Sequence, residues 1–599
     1  MSSFGGTSPV EPAELRALVE RHHLVSACRV PLPAAVGGPS GGPKSSAFRR
    51  ANRSEPTLRC PCHVATTTLG CAPSMMAAEE QVVRSRPSSC QPSAPLMADM
   101  EVGESGRVAG IWKLGILLLL IGICACWVFA TPLFGTSDET AHVMKAAAVV
   151  RGEFVGKSDG GPNTIVDVPQ DLIGANRIPC FALDATVSAG CLAPLGHDNQ
   201  LAPEVTWVGY YPPLYYLLVG WPTLFLHASS SIYAMRLMSA LLGAALLAGA
   251  FYSAAEARGR ALLVPATAAL ATPYLFAYVA TVNPSGMEMA SALCAWTSGI
   301  ALVDSPCDAS RRGILIRFIV SMVVLSQVRD LGPLFVGVIA LSMAGWYGFR
   351  SSWSLLARPR VLAVVAGIAA CAAFAGLWVL LVGNLSFAPS RHALAPHAGV
   401  LAALARSAHR YAYNVRQIIG NFGWTNVYPP VRVSWLGLSV IALMFVLGIR
   451  TARRRQRIIA GSLLAFAVLC PILLIAHEAR SEGFLGQGRY WYPLLAGVLV
   501  VAAGAGGSRV AANWLLWAGV ALSAVVVDLV CFQVTLDRFR FGLGQPEVHA
   551  GWNPPGGADL WPVLNGVLCI TFAWLWWSLC RSSASRGEPS ESPLGADPL

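Results

Sequence analysis

The stretch IWKLGILLLLIGICACWVFATPLFGTSDETAH occupies residues 111–142. Its first part, 111–130, is an apolar run of bilayer length, and its second part opens a long polar segment carrying an acid pair, Asp138 and Glu139. Hydrocarbon excludes charge, so carboxylates are scarce in an apolar chain and their positions carry information. A pair at a membrane exit stands where an enzyme acting on a lipid-linked substrate would hold its base.

The rest of the chain fits a membrane setting. It has 599 residues, 54% hydrophobic and 13% charged, with a mean hydropathy of +0.54. Soluble domains carry about 25% charged residues, so the composition predicts an all-α polytopic membrane protein. The net charge of +11 does not point to nucleic acid, because the basic residues fall between apolar spans. RTARRRQR at 450–457, the arginine pair at 311–312 and RSSASR at 581–586 read as cytoplasmic anchors under the positive-inside rule.

Apolar segments at 111–130, 232–255, 261–280, 285–303, 313–329, 332–348, 361–383, 433–449, 458–476, 490–506, 512–532 and 561–580 predict about twelve transmembrane helices, or thirteen if 212–227 crosses. Charge parity arbitrates. If 212–227 crosses, Arg258, Arg260 and the 450–457 run fall outside; if it lies at the outer interface, every basic cluster falls inside. The expectation is therefore twelve crossings within 97–580, with both termini cytoplasmic. The polar loops at 131–231, 384–432 and 532–560 then lie outside, with shorter outer turns including 477–489. That asymmetry suits an enzyme facing the exterior more than a channel or an anchor.

Residues 1–96 are rich in Pro, Ser, Arg and Cys and show no periodicity. They read as a disordered cytoplasmic extension, or as the product of a mis-assigned start, since Met97 or Met100 would begin a short lead into the first span. They lack the apolar core of a signal peptide. Cys60-Pro-Cys62 with His63 lacks the second ligand pair of a zinc finger. Residues 581–599 read as a disordered cytoplasmic tail.

Within the first outer loop, TSDETAHVMKAAAVVRGEF (136–154) predicts a juxtamembrane helix. Thr136 stands three residues before Glu139 in capping-box spacing, so acids here also have a purely structural explanation. His142 lies one turn after Asp138 and joins the candidate site. Asp138, Glu139 and His142 are also the residues that would hold a divalent metal ion, if one is used. Cys180 and Cys191, both in PCFALDATVSAGC, are expected to pair as a disulfide on the oxidising side. In WVGYYPPLYYLL (207–218) the aromatics read as an interfacial belt, with Tyr211 the candidate for stacking on a sugar or lipid head.

Two outer basic sites run against the charge rule. Arg329 sits in Gln327-Val328-Arg329-Asp330, and Arg480 and Arg489 sit in HEARSEGFLGQGRYWYP (477–493), where Tyr490 follows Arg489. A boundary arginine can hold a phosphate bidentately. An ordinary salt bridge is the competing reading, with Asp330 or Glu478 as partner. Arg489 has no adjacent acid.

Taken together, TSDETAH, VVRGEF, YYPPLYYLL, AMRLMSALLG, NFGWTNVYPP and QGRYWYPLL resemble a bacterial family of predicted membrane proteins, domain of unknown function 2142, over roughly residues 111–535. The layout is also similar to the wider GT-C class of glycosyltransferases. The resemblance implies an enzyme of the bacterial plasma membrane that takes a sugar from a polyprenyl phosphate at the outer face, by single inverting displacement. It implies Asp138 as the catalytic acid-loop residue and Arg489, with Arg329 or Arg480, as ligands of the donor phosphate. Thr140 stands where many family members carry Pro. The acceptor is then a cell-envelope glycan or lipid, and no nucleotide cofactor is required, consistent with the lack of a GxxxxGK[ST] loop. A transporter or flippase of lipid-linked precursors, and a non-catalytic envelope-assembly protein, remain the alternatives. A transporter would be expected to carry charges inside its spans and repeated halves.

Overall fold

Apolar segments long enough to cross hydrocarbon must satisfy their backbone internally, so they fold as helices. The computed structural model describes residues 101–160, 163–173, 178–257, 259–303, 309–382, 399–478, 486–505, 513–544 and 551–585. The 1–96 segment with its cysteines, Arg258, Arg480 and the tail beyond 585 lie outside the described residues, as does the side chain of Glu478.

Helix α1 (Glu101–Ala130) leads into the polar loop and stops before Thr131-Pro132, since a residue preceding proline disfavours helical geometry. The loop then forms α2 (Glu139–Val149), strands β1 (Lys157–Ser158) and β2 (Thr164–Pro169), α3 (Gln170–Ile173), strand β3 (Leu201–Thr206), and α4 (Leu214–Gly220) continuing as a 3-10 turn over Trp221–Leu224. The three strands pair antiparallel in the order β1-β2-β3, with Thr164 opposite Thr206 and Pro169 opposite Leu201. This sheet is an addition to the expected juxtamembrane helices. TIVDVP buries alternate side chains along most of its length, the period of a half-covered strand.

The membrane bundle follows as α5 (Ala228–Glu256), α6 (Leu263–Leu270), α7 (Pro273–Val279), α8 (Pro284–Val303), α9 (Ala309–Val328), α10 (Gly332–Tyr347), α11 (Phe349–Leu356), α12 (Pro359–Leu381), α13 (Val400–Gln417), α14 (Val431–Thr451), α15 (Arg454–Glu478), α16 (Gly488–Gly504), α17 (Trp514–Phe541) and α18 (Leu560–Ser585). Each expected apolar segment carries helix over its described residues. Among the described residues eight helices are long and apolar enough to cross, namely α1, α5, α8, α12, α14, α15, α17 and α18, or nine if α10 and α11 form one span.

The differences have local causes. Segment 261–280 breaks at Ala271-Thr272, where Thr272 caps α7 and Pro273 begins it. Helices α10 and α11 diverge by 107° at Gly348, whose φ of 111° suits glycine. Helix α16 has 17 residues, and α9 carries Arg311, Arg312 and Arg317. Segment 212–227 yields only a short apolar helix, Leu214–Leu224. Its rise of roughly 16 Å is about half the hydrocarbon thickness, a length that suits the interfacial reading.

Helix α8 is the centre of the bundle, packed against α5, α9 and α16. The approach of α16 depends on Gly497, where a Cβ would lie 2.4 Å from the Trp296 ring. Trp296 Nε1 closes the contact by donating to Pro493 O at 2.9 Å. At one end of the bundle Glu256 pairs with Lys113 (2.5 Å) and with Arg317. At the other, the loop between α1 and α5 is tied down by Arg538, at the end of α17. Arg538 donates to Phe181 O (2.6 Å), Val187 O (2.7 Å) and Asp184 O (3.1 Å). A disulfide between Cys180 and Cys191 closes the segment that Arg538 grips.

Candidate functional site

Asp138 caps α2 in a left-handed conformation, φ 68° and ψ −4°, and its side chain makes no capping bond. Few residues other than glycine adopt this geometry, and Asp is among the most tolerant. The conformation directs the carboxylate away from the helix amides and toward Arg489. Arg489 Nη2 donates to Asp138 Oδ2, with the arginine side chain 2% exposed and the aspartate 30%.

The first turn of α16 supplies Arg489, and the surrounding residues fix its fork. Nη1 donates to Tyr278 Oη (2.8 Å) and Ser137 Oγ (3.1 Å), and Nη2 to Tyr490 Oη (3.2 Å). The Tyr278 and Tyr490 rings lie 5.0 and 5.1 Å from the guanidinium, within cation–π range. Arg489 Nε is buried without a hydrogen-bond partner among the described residues. Ser137 is itself anchored, its amide donating to Gly423 O (3.1 Å) and its carbonyl accepting from Asn283 Nδ2 (3.2 Å).

Arg329, just beyond α9, stands beside this group. Its guanidinium is 4.6 Å from the Tyr490 ring and 5.8 Å from the Tyr211 ring. Nη1 donates to Glu288 Oε2 (3.2 Å) and Ser285 Oγ (3.3 Å) on α8. The sequence offers Asp330 and Glu478 as neighbouring partners for the outer arginines. Arg329 pairs with Glu288 and Arg489 with Asp138.

His142 is buried one turn into α2, with Nδ1 2.9 Å from Tyr216 Oη and its ring 6.0 Å from that of Tyr211. Burial is the main force on its pKa, which drops to about 3. Arg489 and Arg329 push the same way and Asp138 opposes them. The imidazole is therefore neutral at ordinary pH. Burial also works against charge on Asp138, but Arg489, His142 and Arg329 outweigh it and hold this carboxyl below its usual value. Lys145, another turn along, is buried, donates to Phe154 O and Gly209 O, and is pushed down to about 7 by desolvation.

The capping-box reading of Glu139 is corrected. Glu139 is fully buried and grips Arg236 of α5 through both oxygens, at 2.7 Å to Nε and 2.6 Å to Nη2. Arg236 in turn donates to Thr131 O (2.8 Å), Pro132 O (2.8 Å) and Val128 O (3.2 Å), the carbonyls left open where α1 ends. Glu139 Oε1 also accepts from Val282 N at 3.2 Å. This pair locks the exit of α1, the start of α2 and α5 together.

Asp138, Glu139 and His142 do not fit a shared metal ion. Glu139 is spent on Arg236 and His142 Nδ1 on Tyr216. Among the described residues no three His, Cys, Asp or Glu side chains are gathered to hold one.

The family model described as a predicted membrane protein, domain of unknown function 2142 (DUF2142), matches residues 119–498. The chain belongs to the DUF2142 family. The match takes in Asp138 near its start and Arg489 near its end, so both halves of the ion pair belong to the DUF2142 region. No curated protein matches the chain. Among solved structures it is similar to the crystal structure of ArnT from Cupriavidus metallidurans bound to undecaprenyl phosphate. That alignment has 14% identity and a TM-score of 0.36, and covers 81% of this chain and 78% of that one.

In this DUF2142 protein, Asp138, His142, Tyr211, Arg329, Arg489 and Tyr490 come together, and Glu139 faces away from them. Ser137, Tyr278, Asn283 and Glu288 complete the group without having stood out in the sequence. Glu288 alone carries a readable signal, as an acid near the start of the apolar segment 285–303. The others are ordinary polar residues whose role depends on where Arg489 arrives.

Proposed function

We propose that this protein is a GT-C type glycosyltransferase of the bacterial plasma membrane. It takes a sugar from a polyprenyl-phosphate donor and passes it to an envelope glycan or lipid acceptor at the outer face. The observation that carries the proposal is the partly exposed Asp138 carboxylate set against the buried Arg489 guanidinium, with Arg329 sharing the Tyr490 ring. A base, two cations and a tyrosine wall are the groups such a transfer needs.

In the proposed step Asp138 takes the proton of an acceptor hydroxyl as its oxygen bonds to the anomeric carbon from the face opposite the phosphate. The carbon–oxygen bond to the phosphate breaks, and its electron pair leaves with the polyprenyl phosphate. Arg489 and Arg329 balance that charge in a site already organised by Tyr278, Ser137 and Glu288. Configuration inverts. Glu139 is a positioning residue in this scheme, because its oxygens are occupied by Arg236. No step requires a metal.

The sidedness follows from the charge rule. In the twelve-crossing reading the arginine-rich segments 450–457 and 311–312 face the cytoplasm, which supports an outward-facing loop around Asp138 and inward termini. The test is transfer from labelled polyprenyl-phosphate sugars in membranes containing the wild-type protein or Asp138→Ala. Transfer by the wild type that the substitution abolishes is expected; transfer that survives it would overturn the assignment.

A further inference from the structure

At the far end of α2 from Asp138, a separate polar cleft of about 130 Å³ is lined by Arg151, Asp171, Asn199, Thr223, His227 and Ser231. It is well below the ~300–1,000 Å³ of a pocket for a drug-sized ligand, so it suits a small polar group rather than a whole substrate. Both signs of charge line it, and they are not used up on each other. Arg151 Nη1 donates to Ala147 O and Thr223 Oγ1, both at 2.9 Å, and Nη2 to Thr223 O at 2.7 Å, which leaves Nε and one Nη2 hydrogen. Asp171, 2% exposed, accepts from Ala228 N at 2.7 Å and stands 3.8 Å from His227 Nδ1. Asn199 Nδ2 is 3.2 Å from His227 Nε2.

The surroundings place this cleft at a bilayer boundary. Trp221, Leu224, Phe225 and Leu226 project beside it with large exposed apolar areas, Phe225 at 72%. A Trp–Phe–Leu edge next to charged groups is the composition of a membrane interface. A bare anion can pair only with Arg151 and a bare cation only with Asp171. A ligand carrying both charges on a short spacer satisfies both. We propose that the cleft holds the headgroup of a zwitterionic phospholipid, its phosphate on Arg151 and its ammonium on Asp171, with the acyl chains running over Phe225 and Leu226. This site does not rest on the glycosyl-transfer reading.

The test uses full-length protein, delipidated in detergent and reconstituted with phosphatidylethanolamine or phosphatidylglycerol, with retained lipid scored by native mass spectrometry. Phosphatidylethanolamine is expected to be retained about tenfold better, the ratio supplied by one charge-assisted hydrogen bond. Arg151→Gln should lower retention of both lipids, and Asp171→Asn should erase the difference between them. Because Asp171 also holds the Ala228 amide, His227→Trp is the second variant. Its side chain is 55% exposed, and the larger ring should fill the cleft and expel the lipid without lowering the unfolding temperature. Soluble phosphoethanolamine should compete. Equal retention of the two lipids, or indifference to both Arg151→Gln and His227→Trp, would overturn the proposal. So would displacement by inorganic phosphate as effective as by phosphoethanolamine, because it would assign the cleft to free anions.

Discussion

Arg489 donates through Nη2 to the Asp138 carboxylate although the two residues lie 351 positions apart in the chain. The pair is asymmetric, with a nearly inaccessible guanidinium and a carboxylate that keeps 30% of its surface open. Such a pair leaves the acid at the mouth of the site and the cation at its floor. In the proposed transfer an acceptor hydroxyl would meet Asp138 first, and a phosphate would reach further in.

Asp138→Asn keeps the shape of the side chain and removes its capacity as a base. Sugar transfer in membranes is expected to fall about 10²–10⁴-fold, the usual contribution of a positioned acid or base. The unfolding temperature in detergent should fall modestly, because the buried Arg489 loses its charged partner but keeps Tyr278, Ser137 and Tyr490. A collapse of the fold would instead assign Asp138 a structural role.

The pH dependence has a definite sign. Burial raises the Asp138 pKa, and Arg489 with His142 and Arg329 more than reverses this, so the folded value lies below the reference of 3.8. A depressed carboxyl contributes stability above the unfolded value and loses it as pH falls through the folded value. The limb of a pH–rate profile due to Asp138 should therefore lie below pH 3.8, and Arg489→Gln should move it upward. A limb that stays in place in Arg489→Gln would show that Arg489 does not set the charge of Asp138.

Glu139→Ala is expected to act on the fold. It leaves Arg236 buried and without its carboxylate, a loss of about 3–5 kcal/mol when one partner of a buried pair is removed. Thermal unfolding of the purified protein checks the size. The double variant Glu139→Leu/Arg236→Met should recover most of it, since both charges then leave together.

Lys145 gives a second pH signature. Its folded pKa of about 7 lies below the reference of 10.5. The unfolded chain therefore binds more protons than the folded one between those values, and stability should rise with pH across that window. Lys145→Met should flatten this part of the profile. Unfolding temperatures from pH 6 to 9 that rise equally in the variant would assign the trend to other groups.

The disulfide tests the sidedness. Cys180→Ser/Cys191→Ser should destabilise the protein by about 2–4 kcal/mol and speed proteolysis between Pro179 and Leu192. If the loop faces outward, an impermeant thiol reagent should label these cysteines in intact cells only after reduction. Labelling that requires permeabilised cells would place the loop on the inner side.

Part of the site is legible in the amino-acid sequence. Asp138 and Arg489 stand out because charge at a membrane boundary is costly, and that cost can be read from neighbouring residues alone. Their partnership cannot be read this way. Arg489 has no acid beside it in the chain, and Arg329 has Asp330 adjacent but bonds Glu288 on α8. The same limit explains Glu139: its spacing from Thr136 suggests a cap, whereas the tertiary fold delivers Arg236, a stronger partner than a free amide.

Hydrophobic length and composition are local properties, so the chain by itself determined a helical membrane protein and the positions of its apolar segments. The pairing of buried charges depends on which helix ends meet. That required α1, α8, α9 and α16 to pack before Asp138 could find Arg489 and Glu288 could find Arg329. The three-stranded sheet was likewise decided by tertiary packing, through its cross-strand partners, whereas the breaks at Thr272 and Gly348 have local causes in a Thr-Pro cap and a glycine of positive φ.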